Sequence, residues 1–320
     1  MLTVRTPDVI RAVEAAYRLH GAGRTPAPPG VPEPKAVALL AAACGPSWID
    51  GTEWVPGRKE NAPSVLNGAP AVLVLHDPGT GRPLACVESS VISAARTAAS
   101  AVLAADRLTR TQGRPRRIGF LGTGPVARYL HTYLAGDGWE FDRVTVHDRP
   151  AGRAEAFADE LAQGTSAQGG HIGRITVARS AEELIHACDL VVLATSPDTP
   201  RVTDPAWFSH NPLVLHLSLR DLSPEVLLGA VNVVDDREHC FSGDTSLRLT
   251  EELTGRHDFV HWTLHELLTE HVDRAADRPT VFSPTGLEGL DPALGRYVHD
   301  ALTASAMTDI REWKETSHDA

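Results

Sequence analysis

Residues 116–135 read RRIGFLGTGPVARYLHTYLA. An apolar run, Ile118 to Leu121, is followed at once by Gly122-Thr123-Gly124-Pro125-Val126-Ala127, and then by apolar residues at helical spacing. The six residues fit G-x-G-x-x-A, and the strand before and helix after supply the context that a glycine fingerprint requires. Gly122 permits a tight turn. Gly124 lets backbone approach a pyrophosphate seated on the helix N-terminus, and the small Ala127 allows the helix to lie close to the strand. The next apolar run, VTVHD, ends in Asp148, 24 residues past Gly124, where a carboxylate can accept both hydroxyls of a ribose. Gly122 to Val126 and Asp148 are therefore candidate cofactor residues, with NAD as the cofactor. Arg149 and Arg153 lie close enough to hold the extra phosphate of NADP instead.

Outward from this turn the texture repeats. The spacing predicts helices over 124–135, 152–163 and 180–188, and strands at 144–148, 175–178, 189–196, 213–219 and 231–236. Alternation of this kind predicts an α/β fold with a doubly wound parallel Rossmann sheet. N-terminal to it, 6–20 has helical spacing, 36–42 and 71–77 read as strands flanking a polar segment at 50–68, and DPGTG (77–81) is a hairpin turn. A last helix is predicted over 291–313. At Arg114 the texture changes from the N-terminal elements to the alternating pattern.

In the stretch 88–105, ESSVISAARTAASAVLAA, Arg96 is the one basic residue. Helical spacing places it with Ser89, Ser93, Thr97 and Ser100 on one stripe, opposite Ile92, Ala95, Ala99 and Val102. Such an arginine can fork a carboxylate bidentately, or it can pair with a structural Asp or Glu. His261 and His265 lie four apart and could share a helix face, but they lack the zincin glutamate and read as surface histidines, so no metal is expected. His216 reads as a core histidine. A net charge of −11 excludes a nucleic-acid surface. No apolar run is long enough to span a membrane, and Cys44, Cys86, Cys188 and Cys240 form no C-x-x-C pair. A soluble, cytoplasmic protein with reduced, buried thiols is expected.

ESSVISAARTAASAVLAA (88–105), GFLGTGPVARYL (119–130), HLSLRDLSPEVLLGAVNVVDD (216–236) and TVFSPTGLEGLD (280–291) together resemble the ornithine cyclodeaminase/mu-crystallin family. Within it they are most similar to N-(2-amino-2-carboxyethyl)-L-glutamate dehydrogenases, which serve the biosynthesis of 2,3-diaminopropionate. The resemblance implies a homodimeric NAD(P)-dependent oxidoreductase that transfers hydride at the α-carbon of an amino acid or imine. It also implies a smaller α+β substrate-binding and dimerisation domain, 1–112 with 285–320, around a Rossmann NAD-binding domain at 113–284. A redox-neutral amino-acid cyclodeaminase, or a non-catalytic NAD- or ligand-binding protein, are the alternatives. By position, Arg96 matches the residue on the substrate carboxylate and Asp221 the catalytic aspartate. Thr97, Ala194, Thr195, Ser196, Ser218 and Gly286 match residues along the cofactor. Ser47 stands where the family has a lysine, and Lys35 replaces a family arginine. Lys59 is a candidate for the missing charge.

Overall fold

The computed structural model of the chain describes residues 5–22, 36–43, 49–56, 71–77, 80–168, 172–287 and 289–316. The chain divides into two compact units, Met1–Arg96 with Glu288–Ala320, and Thr97–Leu287.

The smaller unit holds helix α1 (Thr6–Gly21) and four antiparallel strands in the order β1-β2-β3-β4: β1 (Ala36–Ala43), β2 (Ile49–Pro56), β3 (Val72–His76) and β4 (Pro83–Glu88). Helix α2 (Ser89–Thr109) follows β4 directly. The expected hairpin at 71–88 is present, Val72 pairing Glu88 and Val74 pairing Cys86. The polar segment holds an unexpected strand: β2 pairs antiparallel with β1 from Ala36↔Pro56 to Ala43↔Ile49. Gly51 and the acidic Asp50 and Glu53 hide it, since strand formation depends on the neighbouring strands as much as on intrinsic preference. Helix α9 (Leu290–Thr316) packs against β1, β2, β3 and α1. Val9, Val13 and Tyr17 of α1, Leu73 and Leu75 of β3, and Leu290 and Leu294 of α9 are buried. Each such side chain contributes about 1.5–3 kcal/mol.

The larger unit is built on eight strands. In chain order they are β5 (Arg117–Leu121), β6 (Phe141–His147), β7 (Ile172–Val177), β8 (Leu190–Leu193), β9 (Leu213–His216), β10 (Val231–Val234), β11 (Val260–Thr263) and β12 (Thr280–Ser283). They pair parallel in the order β11-β10-β12-β9-β8-β5-β6-β7. The order runs outward from β5 in both directions, so the sheet is doubly wound and its switch point lies between β5 and β8. Helices α3 (Pro125–Gly136), α4 (Ala151–Gln168), α5 (Ala181–Ala187), α6 (Pro224–Leu228), α7 (Ser246–Thr254) and α8 (Leu264–Thr269) complete it. β5, β8, β9 and β12 are buried along almost their whole length, as a sheet covered on both faces requires.

His261 and His265 do not share a helix. Thr263 accepts the amide of Glu266 and Glu266 accepts that of Thr263, a capping box that starts α8 at Leu264 and leaves His261 in β11. Among the described residues no group of three or more His, Cys, Asp or Glu could hold a metal, and no helix is long and apolar enough to cross a membrane. Cys188 and Cys240 are buried free thiols, pushed up to about 11 and about 12 by burial; Cys86, against expectation, is exposed.

Candidate active site at the carboxyl edge of the parallel sheet

In an open parallel sheet, ligands bind beyond the carboxyl ends of the strands at the switch point. Five strand ends bring most of the candidate residues of the larger unit to that edge. β5 leads into Gly122–Val126, β6 into Asp148 and Arg149, and β8 into Ala194-Thr195-Ser196. β9 leads into Ser218 and Asp221, and β12 into Gly286. The end of β10 adds Asp235, which the sequence alone did not single out.

The two glycines of the turn are needed for different reasons. Gly122 has φ +93°, and a Cβ there would stand 2.5 Å from the carbonyl oxygen of Ala194. It is fixed by the protein's own backbone. Gly124 has an ordinary φ of −75°, and a Cβ there would meet nothing within 4 Å. No contact among the described residues demands a glycine at 124, which leaves room for a ligand to approach the backbone there. Gly124 is also the N-cap of α3, Pro125 follows it, and no side chain caps the helix amides. A bound phosphate would satisfy them. Ala127, the last position of the fingerprint, is fully buried.

Asp148 stands at the end of β6 and already closes the turn. Its Oδ2 accepts the amide of Thr123 at 3.1 Å and the Thr123 hydroxyl at 2.7 Å, and its Oδ1 accepts the amide of Arg149 at 2.8 Å. Arg153 Nε lies 3.7 Å from the same carboxylate, while Arg149 is exposed. The residues present fit a dinucleotide: an open glycine, an uncapped helix N-terminus and a carboxylate at the second strand end.

Asp221 is fully buried. Both its oxygens lie 2.8 Å from the Thr195 hydroxyl, and Ser218 donates to Oδ2 at 2.5 Å. Burial pushes its carboxyl above the usual range, against the lowering pull of Ser218, Thr195 and Arg201. Behind it, His216 is buried and held neutral, its pKa pushed down to about 3 by burial. His216 Nε2 accepts the amide of Asp221 at 3.3 Å, so Nδ1 carries the proton and donates to Ser283 Oγ at 3.0 Å. The core histidine expected from the sequence thus backs the candidate catalytic carboxylate.

In the smaller unit, Arg96 Nε lies 3.2 Å from Asp291 Oδ2, and Nη2 donates to Ser93 at 3.1 Å. Arg96 therefore has a carboxylate partner within the chain, from the first turn of α9. The polar stripe is covered at both ends, Ser89 and Ser100 being buried, and Thr97 is half-buried. Lys35, Ser47 and Lys59 lie outside the described residues.

Residues 1–306 match the model of the ornithine cyclodeaminase/mu-crystallin family. The chain belongs to this family. One relative is the alanine dehydrogenase of Archaeoglobus fulgidus, 27% identical over 316 residues, covering 95% of this chain and 93% of the relative. Another is the N-((2S)-2-amino-2-carboxyethyl)-L-glutamate dehydrogenase of Staphylococcus aureus, 27% identical over 273 residues, covering 82% and 77%. The solved Δ(1)-pyrroline-2-carboxylate reductase of Thermococcus litoralis, in complex with NADH and L-proline, superposes with a TM-score of 0.80 at 21% identity, over 95% of each chain. At that identity the likeness shows the shared fold.

Proposed function

We propose that the protein is an NAD-dependent oxidoreductase acting at the α-carbon of an amino acid or its imine. The observation that carries this reading is the carboxyl edge of the parallel sheet, where a glycine turn shaped for pyrophosphate lies at the switch point beside a buried, hydroxyl-held carboxylate. The family supports it, as do relatives that are an alanine dehydrogenase and a dehydrogenase of an N-substituted glutamate.

Gly122 to Val126 would hold the pyrophosphate, and Asp148 a ribose; Thr97, Ala194, Thr195, Ser196, Ser218 and Gly286 complete the cofactor set. The nicotinamide, when bound, supplies or accepts the hydride of the reaction. Asp221, its carboxyl pushed above the usual range by burial, gives a proton to the substrate nitrogen and takes it back in the reverse direction. Thr195 and Ser218 keep that carboxylate in one orientation. Arg96, its guanidinium fixed by Asp291 and Ser93, binds the substrate carboxylate. Lys35, Ser47 and Lys59 are assigned to the remainder of the substrate.

The smaller unit then serves substrate binding and dimerisation, and the active form is a homodimer. The protein works in the cytoplasm, where thiols such as those of Cys188 and Cys240 stay reduced.

Two outcomes test the binding side. Asp148→Ala should weaken NADH binding by roughly 1–3 kcal/mol, because ribose hydroxyls and the Thr123 amide both lose an acceptor. Fluorescence titration measures it; tighter binding of NADPH than NADH by the parent would shift the role to Arg149 or Arg153. Arg96→Lys should raise KM for the carboxylate substrate about tenfold to a hundredfold, the range expected for charged hydrogen bonds of roughly 1.5–3 kcal/mol. NADH affinity should be unchanged. A parent-like KM would make Arg96 a structural partner of Asp291 alone.

A further inference from the structure

Asp235 is nearly fully buried at the end of β10. Its carboxylate faces the loop that leaves β12. Oδ1 accepts the Thr285 hydroxyl at 2.8 Å and the amide of Asp236 at 3.1 Å, and Oδ2 accepts the amide of Gly286 at 2.5 Å. Gly286 has φ +92°, so its amide direction depends on a conformation that side-chain-bearing residues rarely adopt. A buried carboxylate is costly unless donors satisfy it, and two of these three donors come from a single short loop. The strand before that loop is tied to the site: Ser283 accepts from His216, which in turn accepts the amide of Asp221. β12 itself pairs with both β9 and β10. The loop is therefore anchored at its start to the Asp221 network and at its centre to Asp235.

We propose that Asp235 is a positioning residue: it latches the Thr285–Gly286 loop onto the sheet edge and so sets the placement of the reacting groups relative to Asp221. This rests on the oxidoreductase reading above. Both carboxylate oxygens of Asp235 are engaged by backbone and loop donors, so it acts through the loop. A loop freed by loss of the latch shifts by a fraction of its own width, and misplacement of about 1 Å can cost on the order of 10²-fold in rate.

The test uses the full chain with Asp235→Asn, Thr285→Val and Thr285→Ser. Asparagine keeps the size but can no longer accept from both Thr285 and Gly286 with a charged carboxylate. Amide hydrogen exchange in the 284–287 segment should speed up in Asp235→Asn while the β5–β6 segment keeps its protection. With NADH and imine, kcat should fall by roughly 10²-fold, and NADH affinity should weaken far less, because Gly286 is only one of the residues assigned to the cofactor. Thr285→Val should show the same defects in milder form, and Thr285→Ser, which keeps the hydroxyl, should behave as the parent. Parent-like exchange at 284–287 in Asp235→Asn, or equal kinetics for the two Thr285 variants, would overturn the latch. Exchange needs no turnover, so it decides the latch even if the parent fails to consume NADH, a result that counts against the oxidoreductase reading alone.

Discussion

Asp221→Asn should lower kcat by about 10²–10⁴-fold, the range for a positioned acid–base group, and leave NADH binding intact. Asparagine preserves the volume at a fully buried position, and the Thr195 and Ser218 hydroxyls can rotate to suit it. What it cannot do is take up and release a proton. The same substitution should raise the melting temperature at neutral pH. The carboxyl of Asp221 is pushed above its ordinary range in the folded protein, mainly by burial. The folded state thus binds the proton more tightly than the unfolded state. The stability this gives is fully present below the unfolded value of about 3.9 and is lost as pH rises through the raised folded value. At neutral pH the parent carries that loss and the amide does not. Melting curves of both proteins should therefore diverge at pH 7 and converge toward pH 4. A variant that melts below the parent at pH 7 would contradict the account of Asp221 as a strained, functionally retained carboxylate.

Gly122→Ala and Gly124→Ala should fail in opposite ways. At 122 the new methyl meets the Ala194 carbonyl oxygen at 2.5 Å and its carbon at 2.7 Å, at a φ of +93°. Strain of this kind costs roughly 1–3 kcal/mol before any clash is counted. That corresponds to a melting shift of about 2–12 °C for a domain of this size. Relief can come only by moving the end of β8, where Thr195 holds Asp221, so activity should fall together with stability. At 124 the methyl enters open space at an ordinary φ, and the melting temperature should not change. NADH affinity should nevertheless drop by about tenfold or more, ~1.4 kcal/mol, because the methyl occupies the room left for the ligand. Thermal melts and fluorescence titrations of the two variants separate the roles. A Gly124→Ala protein that binds NADH as the parent does would remove the reason given for that glycine.

The parts of this molecule that are legible in its sequence are those set by local pattern. β5, the Gly122 turn and α3 follow from four apolar residues, a glycine fingerprint and a helical repeat in direct succession. The later alternation of strands and helices extends the same logic to the doubly wound sheet. β2 and β11 escape it because a short strand with Gly, His or Asp in it is defined by the partner it pairs with, and β12 because four residues, TVFS, are too few to show a period. One local signal was present and decisive: Thr263-x-x-Glu266 is a capping box, and it separates His261 from His265. The long-range pairings left no local trace. Arg96 and Asp291 are 195 residues apart, and nothing near either names the other. Asp235 sits in an unremarkable pair of aspartates; only the parallel pairing of β10 with β12 brings it to Gly286. His216 was legible as a buried histidine, but its place behind Asp221 depends on the turn after β9.

Deuteride tracing tests the central claim most directly. The protein is incubated with NADH deuterated at the nicotinamide C4 and with Δ(1)-pyrroline-2-carboxylate, or with an α-keto acid and an amine, and the amino-acid product is examined by NMR. One deuterium is expected at the α-carbon of the product, with little or no labelled product formed by Asp221→Asn in the same time. NADH bound by the parent with no deuterium reaching carbon from any of these substrates would contradict it, and would leave the protein a binder of the dinucleotide without the hydride transfer.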